Sequence, residues 1–417
     1  MKYVVFLGDG MADIAVPELS NRTPLEAAKH PAMDELARKG IFGMAKTIPD
    51  GMEAGSDTAN LSVFGYDPKI YYSGRSPLEA VNMGIDLSPE DVTYRCNTVT
   101  LSKAAKLEDT VMLDYSAGEI ENEDSHTIIE SIARHFSDKA ELFAGIRYRH
   151  CLVLRNAETG AKTFAPHDIH GQKVGKYLPK GVNSDLLREI MEYSFFELPK
   201  HPANIRRVKE GKKPVSAVWL WGEGRKPQMT DFKEKFGLQG SIISAVDLIQ
   251  GMGKCAGLRV LQVPGVTGDN STDFAAKGRA AIEALKTDDF VYIHVEAPDE
   301  CGHHGQPAEK VWSIEQIDQK IVNPVMDYLK FCGEPFGVLL MPDHPTLVST
   351  TTHSAEPVPF AFYDSRRELD NGYDSRFTEP CAQNTGFYQE HAHELMNLMV
   401  NYEEMSALSP HKYVIRY

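Results

Sequence analysis

The chain has 417 residues, of which 42% are hydrophobic, 25% charged and 9% aromatic, a composition typical of globular proteins and a length that favours two domains. Its formal net charge of -15 argues against nucleic acid or an anionic membrane as a partner, because both are bound through excess Lys and Arg. The six cysteines form no C-x-x-C pair and no apolar run approaches membrane-spanning length, so we expect a cytoplasmic protein with reduced thiols.

Short apolar runs bounded by Gly, Pro or Asp predict strands that are buried on both faces. In chain order they are KYVVFLG at the N-terminus, RHCLVLR near residue 150, VSAVWLWG near 218, LRVLQVPG near 261, DDFVYIHVEAPD near 293 and FGVLLMPD near 339. The segments AMDELARKG and SIISAVDLIQGMG have apolar residues at helical spacing and end in glycine, which predicts helices. This alternation predicts an α/β fold with a doubly wound, mostly parallel sheet.

Residues 86 to 234 differ in character from the rest of the chain. They contain charged helical stretches, a basic segment from Arg206 to Lys213, and loops rich in Pro and His. We therefore expect residues 1–85 and 235–417 to form a discontinuous core, and residues 86–234 to form a smaller inserted α+β domain.

Four separated segments carry oxygen and imidazole ligands: Gly8-Asp9-Gly10, Gly55-Ser56-Asp57, Asp299 to His303, and Asp343-His344 with His353 nine residues later. Asp9, Asp299 and Asp343 each follow a predicted strand, and the carboxyl ends of parallel strands share one edge of a sheet. Asp and His side chains bind Zn²⁺, Mn²⁺ or Mg²⁺, and the number of candidates suits two ions. Each residue alone is equally compatible with a helix cap or a turn.

The ordered motifs GDGMAD, PDGMEAGSDTANLSVFGYDP, YYSGRSPLEAVNMGI, EAPDECGHHG and MPDHPT with THSAEPVPF resemble those of cofactor-independent phosphoglycerate mutases of the archaeal type, in the alkaline phosphatase superfamily. The resemblance covers nearly the whole chain and implies an alkaline phosphatase-like core whose inserted domain is a substrate-binding lid. It implies two divalent ions, Mn²⁺ in the first place with Mg²⁺ or Zn²⁺ as alternatives, and no 2,3-bisphosphoglycerate. One ion would be held by Asp299, His303 and His353, and the other by Asp9, Ser56, Asp343 and His344, with Ser56 as the nucleophile.

The chemistry of serine agrees with this assignment. A serine hydroxyl is a poor nucleophile near neutral pH, and a bound metal favours its alkoxide. The alternative, that Ser56 is only the N-cap of the segment DTANLSVFG, is compatible with it because helix N-termini favour phosphate. Asp57 stands where many family members have Glu after the serine, a departure that leaves the ligand set intact.

The resemblance also implies that side chains of the inserted domain hold the substrate. The candidates for contacts with a small anionic phosphorylated substrate are Asn97, Arg149, His167, Asp168, Arg206 and Lys277. Arginine suits carboxylate and phosphate groups because its planar guanidinium binds them bidentately. The alternative for Arg149 is an ordinary strand-edge charge, and for Arg206 a solvated basic loop. Trp219 and Trp221 fit a half-buried strand without a functional role.

The expected activity is the interconversion of 3-phosphoglycerate and 2-phosphoglycerate through a phosphoserine at Ser56. A related metal-dependent phosphotransferase, resembling homoserine kinase, and a phosphatase of the same superfamily are the alternatives, because the metal-binding residues do not specify the acceptor. A sulfatase is disfavoured because GSDTANL lacks the C/S-x-P-x-R motif of those enzymes. A homo-oligomer is compatible with the sequence.

Overall fold

A computed structural model of the chain describes residues 1–372 and 375–401. By its internal contacts the chain divides into two units, of which the first is Met1–Tyr72 with the chain from Met229 onward and the second is Ser73–Gln228. Within the described ranges, no helix has both the length and the apolar composition that a membrane span requires. All six cysteines lie in these ranges without disulfide partners, and Cys96, Cys151 and Cys301 are buried.

The strands are β1 (Lys2–Gly8), β2 (Ile41–Ala45), β3 (Val92–Leu101), β4 (Met112–Asp114), β5 (Glu141–Phe143), β6 (Arg149–Leu154), β7 (Ala161–Lys162), β8 (Lys180–Gly181), β9 (Ala217–Arg225), β10 (Gly240–Ile243), β11 (Arg259–Val260), β12 (Phe290–Val295), β13 (Phe336–Met341), β14 (Thr346–Leu347), β15 (Thr352–His353), β16 (Val358–Asp364) and β17 (Tyr388–Gln389). The α-helices are α1 (Pro24–Ala27), α2 (Pro31–Lys39), α3 (Ser56–Val63), α4 (Pro68–Tyr71), α5 (Ser76–Asn82), α6 (Asn122–His135), α7 (Ser184–Glu197), α8 (Pro202–Lys209), α9 (Phe232–Phe236), α10 (Asp247–Cys255), α11 (Phe274–Leu285), α12 (Ala297–His303), α13 (Pro307–Ile317), α14 (Asn323–Cys332), α15 (Glu379–Asn384) and α16 (Leu395–Val400). A π-helical turn, Asp318–Val322, joins α13 to α14.

In its described part, the first unit contains an eight-stranded sheet with the order β11-β10-β12-β1-β13-β16-β2-β17. The five strands from β11 to β13 in this order are parallel to one another. β16 runs antiparallel to both β13 and β2, and β17 is parallel to β2. The prediction of an α/β fold with a mostly parallel sheet is confirmed.

Both faces of the central strands are covered by helices. On β1, Val4 and Phe6 belong to a core cluster that includes residues of α2, α11, α13 and α14. Val5 and Leu7 alternate with them, so they point to the opposite face, and they are also buried. On that opposite face, Tyr292 of β12 stacks on Phe64, the residue that follows α3. This two-sided burial explains why β1 reads as a continuous apolar run.

One predicted helix is wrong in its first half. Residues 240–243 form the strand β10, and the helix α10 begins only at Asp247. The β-branched side chains of Ile242 and Ile243 pack in the sheet, where both residues pair with β12, so tertiary contacts override the helical spacing of the sequence. The predicted strand near residue 261 is also shorter than expected, since β11 contains only Arg259 and Val260.

The second unit is built on an antiparallel sheet. Residues 73–228 are all described, and in them β3 pairs with β6 on one side and with β9 on the other, while β5 extends the sheet beyond β6 and β4 pairs with the end of β3. The runs RHCLVLR and VSAVWLWG thus form strands of an antiparallel sheet. Helix α5 packs against β3 and β9 and groups with this unit by contact. The assignment of residues 86–234 as a lid stays a prediction.

Candidate metal and phosphoryl-transfer site

Three neighbouring strands of the first unit are each followed by an aspartate within a few residues. β12, β1 and β13 are adjacent and parallel, with Gly8 beside Val295 and Leu7 beside Met341. Asp9 follows β1, Asp299 lies in the helix that follows β12, and Asp343 follows β13 by one residue. The backbone N–H of Gly10 donates to Asp343 Oδ1 over 3.1 Å. The chain therefore brings these carboxylates to one edge of the sheet.

The first ligand group consists of Asp9, Asp343 and His344, all buried, each with a ligand atom within 4.8 Å of the others. Ser56, the first residue of α3, places its Oγ 3.2 Å from His344 Nε2. One helical turn later, Asn60 donates from Nδ2 to the Ser56 carbonyl over 2.9 Å and to Asp343 Oδ2 over 2.8 Å. The amide of Asn60 thus links the candidate nucleophile to a candidate ligand.

The second ligand group lies beside the first and shares His344. Asp299, His344 and His353 offer ligand atoms within 4.8 Å of one another. His303, one turn after Asp299 on α12, places Nε2 3.3 Å from Asp299 Oδ2 and 2.9 Å from His353 Nε2. His353 Nε2 lies 3.3 Å from the other oxygen of Asp299. All seven residues predicted as ligands are therefore close to at least one other member of the set.

The electrostatics of the first group suit a divalent cation. Burial raises the pKa of Asp9 well above its ordinary value, and the charges of Asp343 and Asp299 raise it further. Asp9 Oδ1 is buried without a hydrogen-bond partner among the described residues. Buried carboxylates are paired or bind metal ions, because an isolated buried charge is strongly unfavourable. Carboxylate and imidazole donors at these positions fit Mn²⁺, Mg²⁺ or Zn²⁺.

Several polar residues that support the ligands were not predicted from the sequence. His294 Nε2 lies 2.9 Å from Asp9 Oδ2, and its Nδ1 lies 3.1 Å from Ser244 Oγ. Thr346 donates from its hydroxyl to Asp299 Oδ1. Partners of this kind orient metal ligands. The available signal was the single histidine in the otherwise apolar strand FVYIHV, since a polar side chain in a fully buried strand needs a partner.

Lys277, one of the predicted substrate contacts, lies in this unit rather than with the other candidates. It is fully buried on α11 and donates from Nζ to the carbonyl of His294 over 2.8 Å. Burial lowers the pKa of Lys277 to about 8, while Glu296 and Asp9 act in the opposite direction. In this arrangement Lys277 supports the strand residue that contacts Asp9.

The other predicted substrate contacts lie in the second unit, and only some are exposed. The side chains of His167 and Asp168 are 50% and 70% exposed, with His167 Nε2 3.5 Å from Asp168 Oδ1. Arg149 is the first residue of β6 and is paired in register with Asn97 of β3. Asn97 is only 2% exposed, and its amide accepts from Trp221 Nε1 and donates to the Tyr115 carbonyl. Asn97 is thus engaged with its own unit.

Arg206 has a partner in the second unit that is not one of the predicted substrate contacts. It lies on α8 and pairs with Asp124 of α6, which also accepts from the buried Arg207. The guanidinium of Arg206 therefore has a structural partner, although half of its side chain is exposed.

Comparison with known proteins identifies the family of this chain. Residues 37–204 match the model of a family described as 2,3-bisphosphoglycerate-independent phosphoglycerate mutase. The protein of that name from Methanosarcina mazei is 44% identical over 404 residues, which cover 96% of this chain and 100% of the relative. The solved structure of the PH0037 protein from Pyrococcus horikoshii has a TM-score of 0.79 at 30% identity and covers 97% of both chains. The cofactor-independent phosphoglycerate mutase from Thermoplasma acidophilum, at 24% identity and a TM-score of 0.65, covers 96% of this chain and 100% of its own and shares the fold.

Proposed function

Since this chain belongs to the family of 2,3-bisphosphoglycerate-independent phosphoglycerate mutases, we propose that it interconverts 3-phosphoglycerate and 2-phosphoglycerate by way of a phosphoserine at Ser56. The observation that carries this proposal is the position of the Ser56 hydroxyl, 3.2 Å from Nε2 of His344, a residue shared by both ligand groups. A serine nucleophile beside paired metal sites is suited to phosphoryl transfer through a covalent intermediate.

The reaction consists of two transfers of the same group. In the first, the Ser56 oxygen forms a bond to phosphorus as its proton leaves, and the bond from phosphorus to the C3 oxygen of glycerate breaks as that oxygen gains a proton. In the second, the C2 oxygen of glycerate forms a bond to phosphorus as its proton leaves, and the bond from phosphorus to the Ser56 oxygen breaks as that oxygen regains a proton. The two steps conserve atoms and charge, and no bisphosphoglycerate takes part.

The residues of the chain hold the reacting groups in place. The N-terminus of α3 begins at Ser56, and the N–H groups of a helix N-terminus favour a phosphate. Asn60 fixes the Ser56 carbonyl and Asp343 together. His294 contacts Asp9 through one carboxylate oxygen, and the other has no hydrogen-bond partner among the described residues. Such fixed positions reduce the reorganisation that the transfer requires.

Two divalent ions fit the ligand groups, and we propose Mn²⁺ in the first place, with Mg²⁺ or Zn²⁺ as alternatives. Asp9, Ser56, Asp343 and His344 would hold one ion, and Asp299, His303 and His353 the other. When bound, such ions neutralise phosphate charge and lower the pKa of a coordinated hydroxyl. The mixture of carboxylate and imidazole donors accommodates each of these metals.

The second unit is proposed to supply the contacts that retain glycerate while phosphate resides on Ser56. A phosphoserine open to water would be hydrolysed, so a mutase has to exclude water between the two transfers. His167 and Asp168, both exposed in the second unit, are the proposed contacts. A cytoplasmic location and assembly into a homo-oligomer stay predictions from the sequence.

Phosphorus NMR of the purified protein with MnCl₂ and 3-phosphoglycerate tests the proposed activity. We expect the signal of 2-phosphoglycerate to appear without a rise in inorganic phosphate. Release of inorganic phosphate alone would identify a phosphatase, and an unchanged spectrum would exclude the mutase; conversion of homoserine with a phosphoryl donor would then identify the kinase-like alternative.

A further inference from the structure

Trp221 is the common neighbour of three polar side chains in the second unit. Its β9 backbone pairs with β3 so that Trp221 lies opposite Arg95. The guanidinium carbon of Arg95 lies 4.3 Å from the centroid of the indole. The indole Nε1 donates to Asn97 Oδ1 over 2.9 Å. The imidazole of His167 meets the indole at 5.4 Å and an interplanar angle of 78°. One indole thus fixes a cation, an amide and an imidazole.

Through Arg95 and Glu79, Trp221 is linked to the exposed side chain of Arg75. Arg95 Nε lies 2.9 Å from Glu79 Oε2, and the other oxygen of Glu79 lies 3.3 Å from Arg75 Nε. The Arg95 side chain is 11% exposed, whereas that of Arg75 is 42% exposed. The indole therefore supports a buried guanidinium whose carboxylate partner orients an arginine at the surface.

Through Asn97, Trp221 is also linked to Tyr115, a neighbour of the exposed His167 imidazole. Asn97 can accept from Trp221 only with its oxygen directed to the indole, and its Nδ2 then donates to the Tyr115 carbonyl over 3.0 Å. The ring of Tyr115 lies 6.0 Å from that of His167. His167 therefore contacts two aromatic rings, and Asn97 links the residues that carry them through its two hydrogen bonds.

The charges around His167 suit an anion. Burial lowers the pKa of His167, Asp168 raises it, and Arg95 and Arg75 lower it further. Burial lowers the pKa of Arg95, and the positive charges of Arg75 and Arg149 lower it further. Glu79 bridges Arg75 and Arg95, and the three arginines still outnumber the two carboxylates of Glu79 and Asp168. Clustered guanidinium groups recognise carboxylates and phosphates.

We propose that Trp221 is a positioning residue for substrate recognition, holding Arg95, Asn97 and His167 so that the exposed groups of His167 and Arg75 are oriented for an anionic substrate such as 3-phosphoglycerate. This inference rests on the proposed function, because the substrate class comes from it. Tryptophan is suited to the task since it combines a large π face for a cation with one N–H donor. Its role lies in orientation, and it need not touch the substrate.

Trp219, two residues earlier on β9, provides a matched control. It is fully buried and donates from Nε1 to the Phe164 carbonyl over 2.8 Å. Its indole therefore has a core position and a backbone partner, and among the described residues the tryptophan under a guanidinium is Trp221. A Trp219→Phe variant removes one indole hydrogen bond from the same strand, as Trp221→Phe does, and separates positioning from general packing.

The experiment compares wild type, Trp221→Phe, Trp221→Leu and Trp219→Phe by steady-state kinetics and by calorimetric titration with 3-phosphoglycerate. Loss of one neutral hydrogen bond in Trp221→Phe should raise KM about fivefold. Loss of the cation–π support as well should raise it at least about tenfold in Trp221→Leu, with kcat changed less than about threefold in both. Trp219→Phe should keep both KM and the calorimetric Kd within about twofold of wild type, whereas the Kd should rise with KM in both Trp221 variants.

Two results would overturn the inference: a KM of Trp221→Leu within twofold of wild type, or an equal rise in KM in Trp219→Phe. Trp221→Phe keeps a ring in place and so remains informative if Trp221→Leu does not fold. Absence of conversion by the wild type would sink the proposed function alone, because calorimetric titration still decides whether 3-phosphoglycerate binding depends on Trp221. A wild type that shows no calorimetric binding of 3-phosphoglycerate would overturn both.

Discussion

Lys310 Nζ lies 2.8 Å from Asp13 Oδ2, and neither side chain is exposed to solvent. The same ammonium group donates to the carbonyls of Ala12 and Thr346. Because the Thr346 hydroxyl donates to Asp299, this buried ion pair is connected to a candidate metal ligand. Removing one partner of a buried pair leaves the other charge without compensation.

Lys310→Met should therefore lower the free energy of unfolding by about 3 to 5 kcal/mol, as is typical when one partner of a buried ion pair is removed. Lys330→Met serves as the control, because Lys330 pairs with Glu35 at the surface and such pairs contribute about 0 to 1 kcal/mol. Urea denaturation of both variants measures the difference. Equal losses in the two variants would contradict the importance of the buried pair.

Ser56→Ala should abolish the mutase reaction while the fold is retained, because the hydroxyl is the proposed nucleophile and lies outside the apolar core. Intact-protein mass spectrometry after incubation with 3-phosphoglycerate should show one added phosphoryl group on wild type and none on the variant. Ser62→Ala, on the same helix α3, is the control, since its hydroxyl donates to the Thr47 carbonyl. A phosphorylated Ser56→Ala protein would place the nucleophile elsewhere.

His303 and His304 are adjacent in sequence but differ in their contacts. His303 faces Asp299 and His353, whereas His304 is 64% exposed and contacts Glu300 of its own helical turn. His303→Ala should reduce the number of Mn²⁺ ions bound per chain from two to one, and His304→Ala should leave it at two. Elemental analysis after removal of free metal gives both numbers. Loss of an ion from His304→Ala alone would reverse the assignment.

Asp318 should make stability depend on pH below neutrality. Burial raises the pKa of Asp318 to about 6, although the N–H groups of Met33 and Ala32 donate to it. Because this value exceeds that of the unfolded chain, about 3.9, the protonated form stabilises the fold. This contribution, at most about 3 kcal/mol, is complete below about pH 4 and is lost as the pH rises through about 6.

Asp318→Asn removes this titration. The free energy of unfolding of the variant minus that of wild type should therefore increase between pH 4 and pH 7. Urea denaturation of the metal-free proteins at several pH values measures the gain. Asp327→Asn, at an exposed position on α14, should stay parallel to wild type. Parallel curves for Asp318→Asn would show that Asp318 has an ordinary pKa in the folded protein.

Asp168→Ala tests the proposed role of the second unit. If Asp168 helps to retain glycerate, its removal should lower mutase activity while phosphate release from 3-phosphoglycerate is spared or rises. Asp138→Ala, at an exposed turn of the same unit, should change neither activity. Both activities are followed in one phosphorus NMR time course. A proportional fall of the two activities, or no change in either, would argue against control of the phosphoenzyme by this residue.

The strands that carry the site could be predicted because each is buried on both faces and is followed by an acidic residue. β1, β12 and β13 therefore stood out as apolar runs ending near Asp9, Asp299 and Asp343. The supporting residues could not be predicted in the same way. Asn60 contacts Asp343 at a separation of 283 residues, and no local pattern distinguishes it from another polar residue of α3. Trp221 was interpreted as a strand residue without a role, because its contact with Arg95 depends on the register of two distant strands.

The order of strands in the first unit also bears on how the chain folds as it leaves the ribosome. β1 lies between β12 and β13. The earliest residue in the chain that pairs with β1 is Phe290, which lies opposite Tyr3. At about 5 to 20 residues per second, synthesis of the intervening chain takes roughly 15 to 60 s. Throughout that interval the apolar run KYVVFLG has neither neighbour available, whereas residues 73–228 form a contiguous unit whose strands emerge together. The strands of the second unit are therefore all synthesised before the neighbours of β1, and β1 can pair in the large sheet only once the last third of the chain has appeared.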